Sequence, residues 1–311
     1  MKVWRGWPEG VEERCFAALG TFDGVHRGHQ AILQSLLRGA REGGAMGWVV
    51  TFDPHPLAVL RGEVPPLLTP GLERLHWLEE MGVDGVVILP FTPELAATPA
   101  ETFLKEELCR KGRLRRVYVG YNFTFGKGAG GNAAYLQKEG LSVCGLEVTV
   151  VPPVVEGGEP VSSSRIRRLL AQGELEEVER LLGRPFSLWA RVQSGEGRGR
   201  ELGFPTANLA VDGQRALPPA GVYAGWATLE GRSWPAAISL GARPMVAGDD
   251  PRRLEVYVVG WSGDLYGQEI QVGFFARLRD QEAFPGWDLL KEAMLEDVNQ
   301  VLRVYQGRLL Q

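Results

Sequence analysis

"LGTFDGVHRGHQAIL", Leu19 to Leu33, decides how the first half of the chain is read. The residues up to it, "CFAALGTF" (Cys15–Phe22), are almost continuously apolar, as expected of a strand covered on both faces. The residues after it, "GHQAILQSLLRGARE" (Gly28–Glu42), have helical spacing. A strand that runs into a helix through a glycine-punctuated turn opens a βαβ unit. The turn then lies at the strand's carboxyl end and the helix N-terminus, where free amides and the helix dipole favour phosphate. Gly24 and Gly28 allow close backbone approach and positive φ. His26 and His29, two of the four histidines, stand at i and i+3 and face one pocket once the helix begins. Three readings fit these residues: a pair of core or capping histidines, a metal pair with Asp23 as third ligand, or a phosphate-handling turn. No further His or Cys stands nearby to complete a metal shell. The phosphate reading accounts together for the glycines, the helix start and both imidazoles.

Working outward, "GWVVTF", "DGVVILP", "RRVYVG" and "LEVTVVP" repeat the short apolar run. Helical stretches "GLERLHWLEEMG", "TPAETFLKEELCRKG" and "NAAYLQKEG" lie between them. This alternation predicts an α/β domain with a doubly wound parallel sheet, whose ligand sits beyond the strands' carboxyl ends at a switch point. After Val151 a loop leads to a serine-capped helix and a second short helix ending at Gly183-Arg184-Pro185, where we place the domain boundary (1–184 and 185–311). Beyond it, "SLWARVQSG", "GVYAGWATL", "SWPAAISLG", "RRLEVYVVGW" and "EIQVGFFARL" are short segments split by Gly, Pro and Asp turns. They predict a C-terminal antiparallel β-barrel or sandwich, closed by the amphipathic helix "GWDLLKEAMLEDVNQVLRVYQ".

Composition narrows the class. The 311 residues are 44% hydrophobic and 23% charged, ordinary for a globular protein with a core in each half. The net charge of −4 is spread evenly: from Arg184 onward there are 14 basic and 15 acidic residues. No basic domain or tail exists, which argues against a nucleic-acid partner. The basic run "RKGRLRR" (Arg110–Arg116) reads as a solvated helix end. Three cysteines without CxxC spacing argue against a disulfide framework or zinc site, and fit a reducing, cytoplasmic setting. The N-terminus lacks the apolar core of a signal peptide, and no apolar run is long enough to span a bilayer. Oligomeric state is not legible from the residues.

"HRGH" in its strand–loop–helix setting resembles the HxGH signature of the nucleotidylyltransferase superfamily. The longer "GTFDGVHRGHQ" resembles the bacterial bifunctional riboflavin kinase/FAD synthetases. "TFDPHP" (Thr51–Pro56), "VGYNFTFGKGAGG" (Val119–Gly131) and "SSSRIR" (Ser162–Arg167) agree with that family in order and spacing. The resemblance implies direct attack of the FMN phosphate on the α-phosphorus of ATP, with release of pyrophosphate and no covalent enzyme intermediate. Such a site must position and stabilise a crowded, charged phosphorus. His26 and His29 are the implied catalytic pair. Gly20, Phe22, Asp23, Gly28, His55, Asn122, Ser163, Ser164 and Arg167 are the implied nucleotide-binding set. The serines equally suit a helix N-cap, and His55 between two prolines equally suits a shaped loop. "GKG" at Gly126–Gly128 is not a Walker A loop, since its spacing and Ser/Thr are absent.

A second phosphate-handling segment is "SGEGRGRELGFPTANL" (Ser194–Leu209). Alone it reads as a flexible glycine-rich hairpin, but Thr206 and Asn208 alternate and so share one strand face. Their oxygens suit Mg²⁺ and nucleotide phosphates. The stretch resembles the riboflavin kinase phosphate loop and PTAN motif, and "LPPAGVYAG", "SLGARP", "GDLYGQEI" and "FFARLRDQEAFPGWDLL" follow the same family pattern. The resemblance thus covers nearly the whole chain. It implies Gly199, Arg200, Gly203, Thr206 and Asn208 as nucleotide contacts, with Thr206 and Asn208 on the metal. It implies Glu255 as general base on the riboflavin 5′-hydroxyl; without it, Glu255 reads as an ordinary strand residue. The chain departs from the family at Ser239, Met245, Tyr257 and Gly260, where Asn, Thr, His and Asp are usual. The expected activity is riboflavin to FMN in the C-terminal domain and FMN to FAD in the N-terminal one, with ATP and Mg²⁺. The departures keep open a barrel that only binds flavin and regulates.

Overall fold

The apolar runs of the first half become strands of one parallel sheet. In this computed structural model residues 1–9, 14–194, 199, 203–242 and 252–310 are described. Contacts divide the chain into two units, Met1–Ser163 and Ser164–Gln311. In the first, strands β1 (Lys2–Arg5), β2 (Cys15–Leu19), β3 (Met46–Asp53), β4 (Gly85–Pro90), β5 (Arg116–Gly120) and β6 (Glu147–Val151) lie in the order β1-β4-β3-β2-β5-β6, every neighbouring pair parallel. From β2 the chain builds outward through β3 and β4, then returns to place β5 and β6 on the other side. The switch point therefore lies between the carboxyl ends of β2 and β5.

Strand alternation sorts the core onto two faces. Ala17, Leu19, Val50, Val87, Val117 and Val119 pack with Phe103, Leu104, Leu108 and Leu136 on one face. Phe16, Ala18, Val49, Val86, Ile88 and Tyr118 pack on the other with Leu33 and Leu36 of helix α1 (Arg27–Glu42) and Leu78 of α3 (Leu72–Glu80). The expected doubly wound sheet is what forms. Between α1 and α3 lies the short α2 (Pro56–Arg61), and α4 (Ala133–Cys144) follows β5. Strand β1 was not expected. At the sheet edge, mostly exposed, it has no apolar run to betray it, and it is held by Trp4 against Trp48 with ring centres 4.7 Å apart.

The expectation that no disulfide forms is corrected: Cys109 and Cys144 are bonded, with Cα atoms 6.1 Å apart. Cys109 lies in a π-helical stretch, Phe103–Lys111, and Cys144 ends α4; both elements lie on the same face of the sheet. Spacing in the sequence carries no trace of two helix ends meeting across 35 residues. The bond also removes the ground on which cysteine usage pointed to a reducing compartment. Cys144→Ser, or reduction, is expected to lower the unfolding free energy of this unit by about 3–4 kcal/mol, the loop-entropy scale for such a loop. A lower urea midpoint checks it; an unchanged midpoint shows that the link contributes nothing.

The second unit begins within α5 (Ser163–Gln172), followed by α6 (Leu175–Leu182), whose left-handed C-cap is Gly183. Strands β7 (Phe186–Gln193), β8 (Ala207–Ala210), β9 (Gly221–Leu229), β10 (Arg232–Leu240), β11 (Leu254–Val258) and β12 (Glu269–Arg279) close an antiparallel barrel in the order β7-β8-β11-β10-β9-β12, with β12 returning to β7. In β8 and β11 buried and half-buried residues alternate strictly, so one face fills the barrel and the other looks outward. The closing helix α7 (Trp287–Leu309) is pinned by a fork: Arg279 Nε donates to Asp297 Oδ1 at 2.9 Å and Nη2 to Oδ2 at 2.7 Å. The Asp297 carboxylate is buried and raises the Arg279 pKa above its ordinary value. No helix among the described residues is long and apolar enough to cross a membrane.

Candidate active sites

At the end of β2 the backbone takes conformations that side chains resist. Phe22 (φ 52°), Gly24 (φ 89°) and Val25 (φ 38°) all have positive φ. A β-branched valine there is held only by its surroundings, as is common where a turn serves a site. The surroundings are on hand. Val25 N–H donates to the Phe22 carbonyl at 3.2 Å and Gln30 Nε2 to the Val25 carbonyl at 2.9 Å. Gly24 N–H donates to Thr69 Oγ1 at 2.7 Å.

His26 is the N-cap of α1: its Nδ1 accepts from the His29 amide at 3.3 Å, and the residue is buried. The His29 ring lies flat on the His26 ring, centres 3.7 Å apart at 15°, and touches Phe22 at 5.1 Å. A Cβ at Gly28 would sit 3.1 Å from the His26 ring and 3.4 Å from the Val161 carbonyl, so glycine is what leaves the capping ring its place. Gly20 is similarly backed by the Phe22 ring. The structure shows the capping reading: the cap uses Nδ1 of His26, and the half-buried His29 imidazole lies on the first turn of α1.

Asp23, expected among the nucleotide contacts, is tied into the turn itself. Its carboxylate is buried and accepts from the Leu68 amide (2.9 and 3.1 Å) and from the Thr69 amide (2.9 Å) and hydroxyl (3.4 Å). Its role is to clamp the turn to residues 68–69, while the Ser163 hydroxyl donates to its carbonyl at 2.9 Å. Asp23→Ala is expected to cost about 2–4 kcal/mol, because two buried amides lose a charged acceptor. Chemical denaturation measures it; a loss below about 1 kcal/mol would mean that the clamp is dispensable.

His55, after β3, caps α2 by accepting from the Leu57 amide at 3.2 Å. Asn122 follows β5 and is exposed, its Oδ1 lying over Gly120 at the end of that strand. A cation that the sequence reading missed joins these strand ends. Arg74 of α3 donates to the Thr21 carbonyl at 3.0 Å and the Phe52 carbonyl at 3.5 Å, bridging the ends of β2 and β3. Burial pulls its pKa below the ordinary value, against the nearby Asp23 and Asp53. "LTPGLER" gave no motif to flag it. Ser163 opens α5; Ser164 and Arg167 belong to the second unit, exposed and half-buried on the first turns of that helix. The basic run 110–116 is solvated as expected, with Arg110, Lys111 and Arg116 paired to Glu106, Glu107 and Glu147.

On the barrel, Arg200 and Met245 lie outside the described residues. Gly199 accepts from the Phe204 amide at 2.8 Å, and a Cβ on it would collide with the Phe204 carbonyl and approach Thr206 Oγ1. Gly203 has φ 86°, which favours glycine in this loop. Thr206 stands just before β8. Asn208 in β8 and Ser239 in β10 are the register partners of Glu255 in β11, so the three form one row across adjacent strands, on the outward face. Arg253 joins the row. Its Nε donates to Glu255 Oε1 at 2.7 Å and its Nη2 to Asn208 Oδ1 at 2.7 Å, with Nη2 also 2.6 Å from Glu255 Oε1. The spacing "RLE" was a readable sign, since i and i+2 share a strand face. Of the departures, Ser239 Oγ accepts from Gln281 Nε2 at 3.0 Å, Tyr257 packs edge-on against Phe204 at 5.3 Å, and Gly260 (φ 78°) turns the chain after β11.

The chain thus joins a parallel sheet with a histidine-capped turn at its switch point to a closed barrel bearing an outward Asn–Glu pair. The FAD synthetase family model matches residues 9–165 and the riboflavin kinase family model residues 182–305. Proteins called bifunctional riboflavin kinase/FMN adenylyltransferase are 37% identical in Escherichia coli K12, over 96% of both chains, and 37% identical in Pseudomonas fluorescens, over 91% of both. A solved structure described as a macrolide-efflux protein from Streptococcus pneumoniae is similar at TM-score 0.85 and 28% identity, covering 96% of this chain and 97% of that one. The chain belongs to the bifunctional riboflavin kinase/FMN adenylyltransferase family. Because the kinase model matches the barrel, a catalytic barrel is favoured over a non-catalytic flavin-binding module.

Proposed function

We propose that residues 185–311 transfer the γ-phosphoryl group of ATP to the 5′-hydroxyl of riboflavin, and that residues 1–184 join the resulting FMN to AMP from a second ATP, releasing pyrophosphate. The observation that carries this reading is the stacked His26–His29 pair, capping a helix at the switch point of a parallel sheet. Adenylyl transfer needs no enzyme nucleophile. The FMN phosphate oxygen bonds to the α-phosphorus, and the bond from that phosphorus to the pyrophosphate oxygen breaks. The helix-mouth amides and the His29 imidazole stabilise the added charge. Gly20 and Gly28 leave the Phe22 and His26 rings room beside the nucleotide, Phe22 and Asp23 hold the turn, and His55 and Asn122 border it at the neighbouring strand ends. On the resemblance of their segment, Ser163, Ser164 and Arg167 are assigned to the leaving phosphates.

In the barrel, Glu255 takes the proton of the riboflavin hydroxyl as its oxygen attacks phosphorus. On the resemblance of their segment, Gly199, Arg200 and Gly203 are assigned to the nucleotide phosphates. Thr206 and Asn208 offer hard oxygen donors, and the lone pair of Asn208 Oδ1 that Arg253 does not use is the one that would hold Mg²⁺. The ion supplies charge neutralisation on the phosphates when bound. Both reactions consume ATP, which supports a cytoplasmic place of work. The test is purified protein with riboflavin, ATP and Mg²⁺, with chromatography for FMN and then FAD. FAD formed from FMN but not from riboflavin would remove the kinase; neither product would remove both assignments.

A further inference from the structure

We propose that Arg253 is a positioning residue for phosphoryl transfer, a guanidinium tie that fixes the Glu255 carboxylate and the Asn208 amide against each other. The inference rests on Glu255 as general base and adds what aims it. Nη2 of Arg253 is shared between Glu255 Oε1 at 2.6 Å and Asn208 Oδ1 at 2.7 Å, and Nε adds a second bond to Oε1 at 2.7 Å. The two partners stand opposite each other on neighbouring strands, so one side chain locks both rotamers at once. Among the described residues Glu255 Oε2 takes no hydrogen bond. The tie therefore presents a carboxylate with one oxygen held and the other open to a substrate hydroxyl. The cluster is half-buried, with Arg253 and Glu255 side chains 21% and 24% exposed, so water competes weakly. A planar fork serves two acceptors together, which the single point of an ammonium does not. On the other side of Glu255, Ser239 is engaged by Gln281 rather than by the carboxylate, which leaves Arg253 as the group that aims it.

The experiment is steady-state riboflavin phosphorylation by the full chain carrying R253K, R253Q, E255Q or R253K/E255Q. R253K is expected to lower kcat about tenfold, because a small misplacement of a base is costly, while KM for riboflavin stays within about twofold. R253Q behaves alike. With Glu255 already replaced, R253K lowers kcat by much less than tenfold, the remainder being the Asn208 end of the tie, as non-additivity requires of residues acting as one unit. FAD formation from supplied FMN and the barrel's unfolding midpoint stay unchanged. Wild-type kcat in R253K overturns the proposal, as does a rise in KM alone. The same tenfold loss in the E255Q background overturns it too, because Arg253 would then act independently of the carboxylate. Wild-type kcat in E255Q alone instead removes Glu255 as base, and the proposal with it.

Discussion

His29→Ala lowers FAD formation from supplied FMN by about 10²-fold or more, while riboflavin phosphorylation proceeds at its normal rate. The size follows from losing one preorganised donor at a developing charge in a water-poor site, typically worth about 10²–10³ in rate. The selectivity follows from structure: His29 stands in the first unit, and the kinase row of Asn208, Ser239 and Glu255 stands in the barrel. The fold should survive, because the cap is His26 accepting from the backbone amide of residue 29, which alanine retains. His26→Ala is a different case. It removes cap and ring together, and should lower stability by about 1 kcal/mol besides slowing adenylyl transfer. Separate assays with FMN and with riboflavin, beside a melting curve, distinguish the cases. Equal loss of both activities in His29→Ala would mean unfolding or one shared site, and a normal FAD rate would take His29 out of the mechanism.

Glu255→Ala should do the reverse. A positioned general base contributes about 10²–10⁴ in rate, so FMN formation falls by that order and FAD formation from FMN is untouched. Alanine also strips Arg253 of its carboxylate, so part of the loss reflects a displaced cation. Glu255→Gln keeps the shape and an acceptor oxygen, and should lose nearly as much if the proton is what matters. A kinase rate that survives Gln but not Ala would assign Glu255 to packing and charge balance instead.

Most of the first site was legible because its elements are local. A strand's apolar run, two glycines and a helix period place "DGVHRGH" at a strand end and helix start without any knowledge of the rest. The parallel order also follows from alternating strands and helices. Asp23 marks the limit of local reading: beside a phosphate turn it reads as a ligand, and only the fold reveals that its carboxylate accepts from amides 45 residues away. Arg74 was invisible for the same reason, since its two carbonyl partners lie on different strands. The Cys109–Cys144 bond likewise depends on two helices landing on one sheet face.

What the residues determined by themselves is therefore whatever depends on neighbours in the chain: the strand–turn–helix, the change to short alternating strands after Pro185, and the segments bearing histidine, threonine, asparagine and glutamate. Only the tertiary structure decided which of these touch. The row from Asn208 through Glu255 to Ser239 exists because β11 lies between β8 and β10 in the barrel, and Arg253 gains Asn208 as a partner only across the β8–β11 pairing. Side-chain periodicity is a property of a single strand, whereas hydrogen-bond partnership across strands is a property of the sheet.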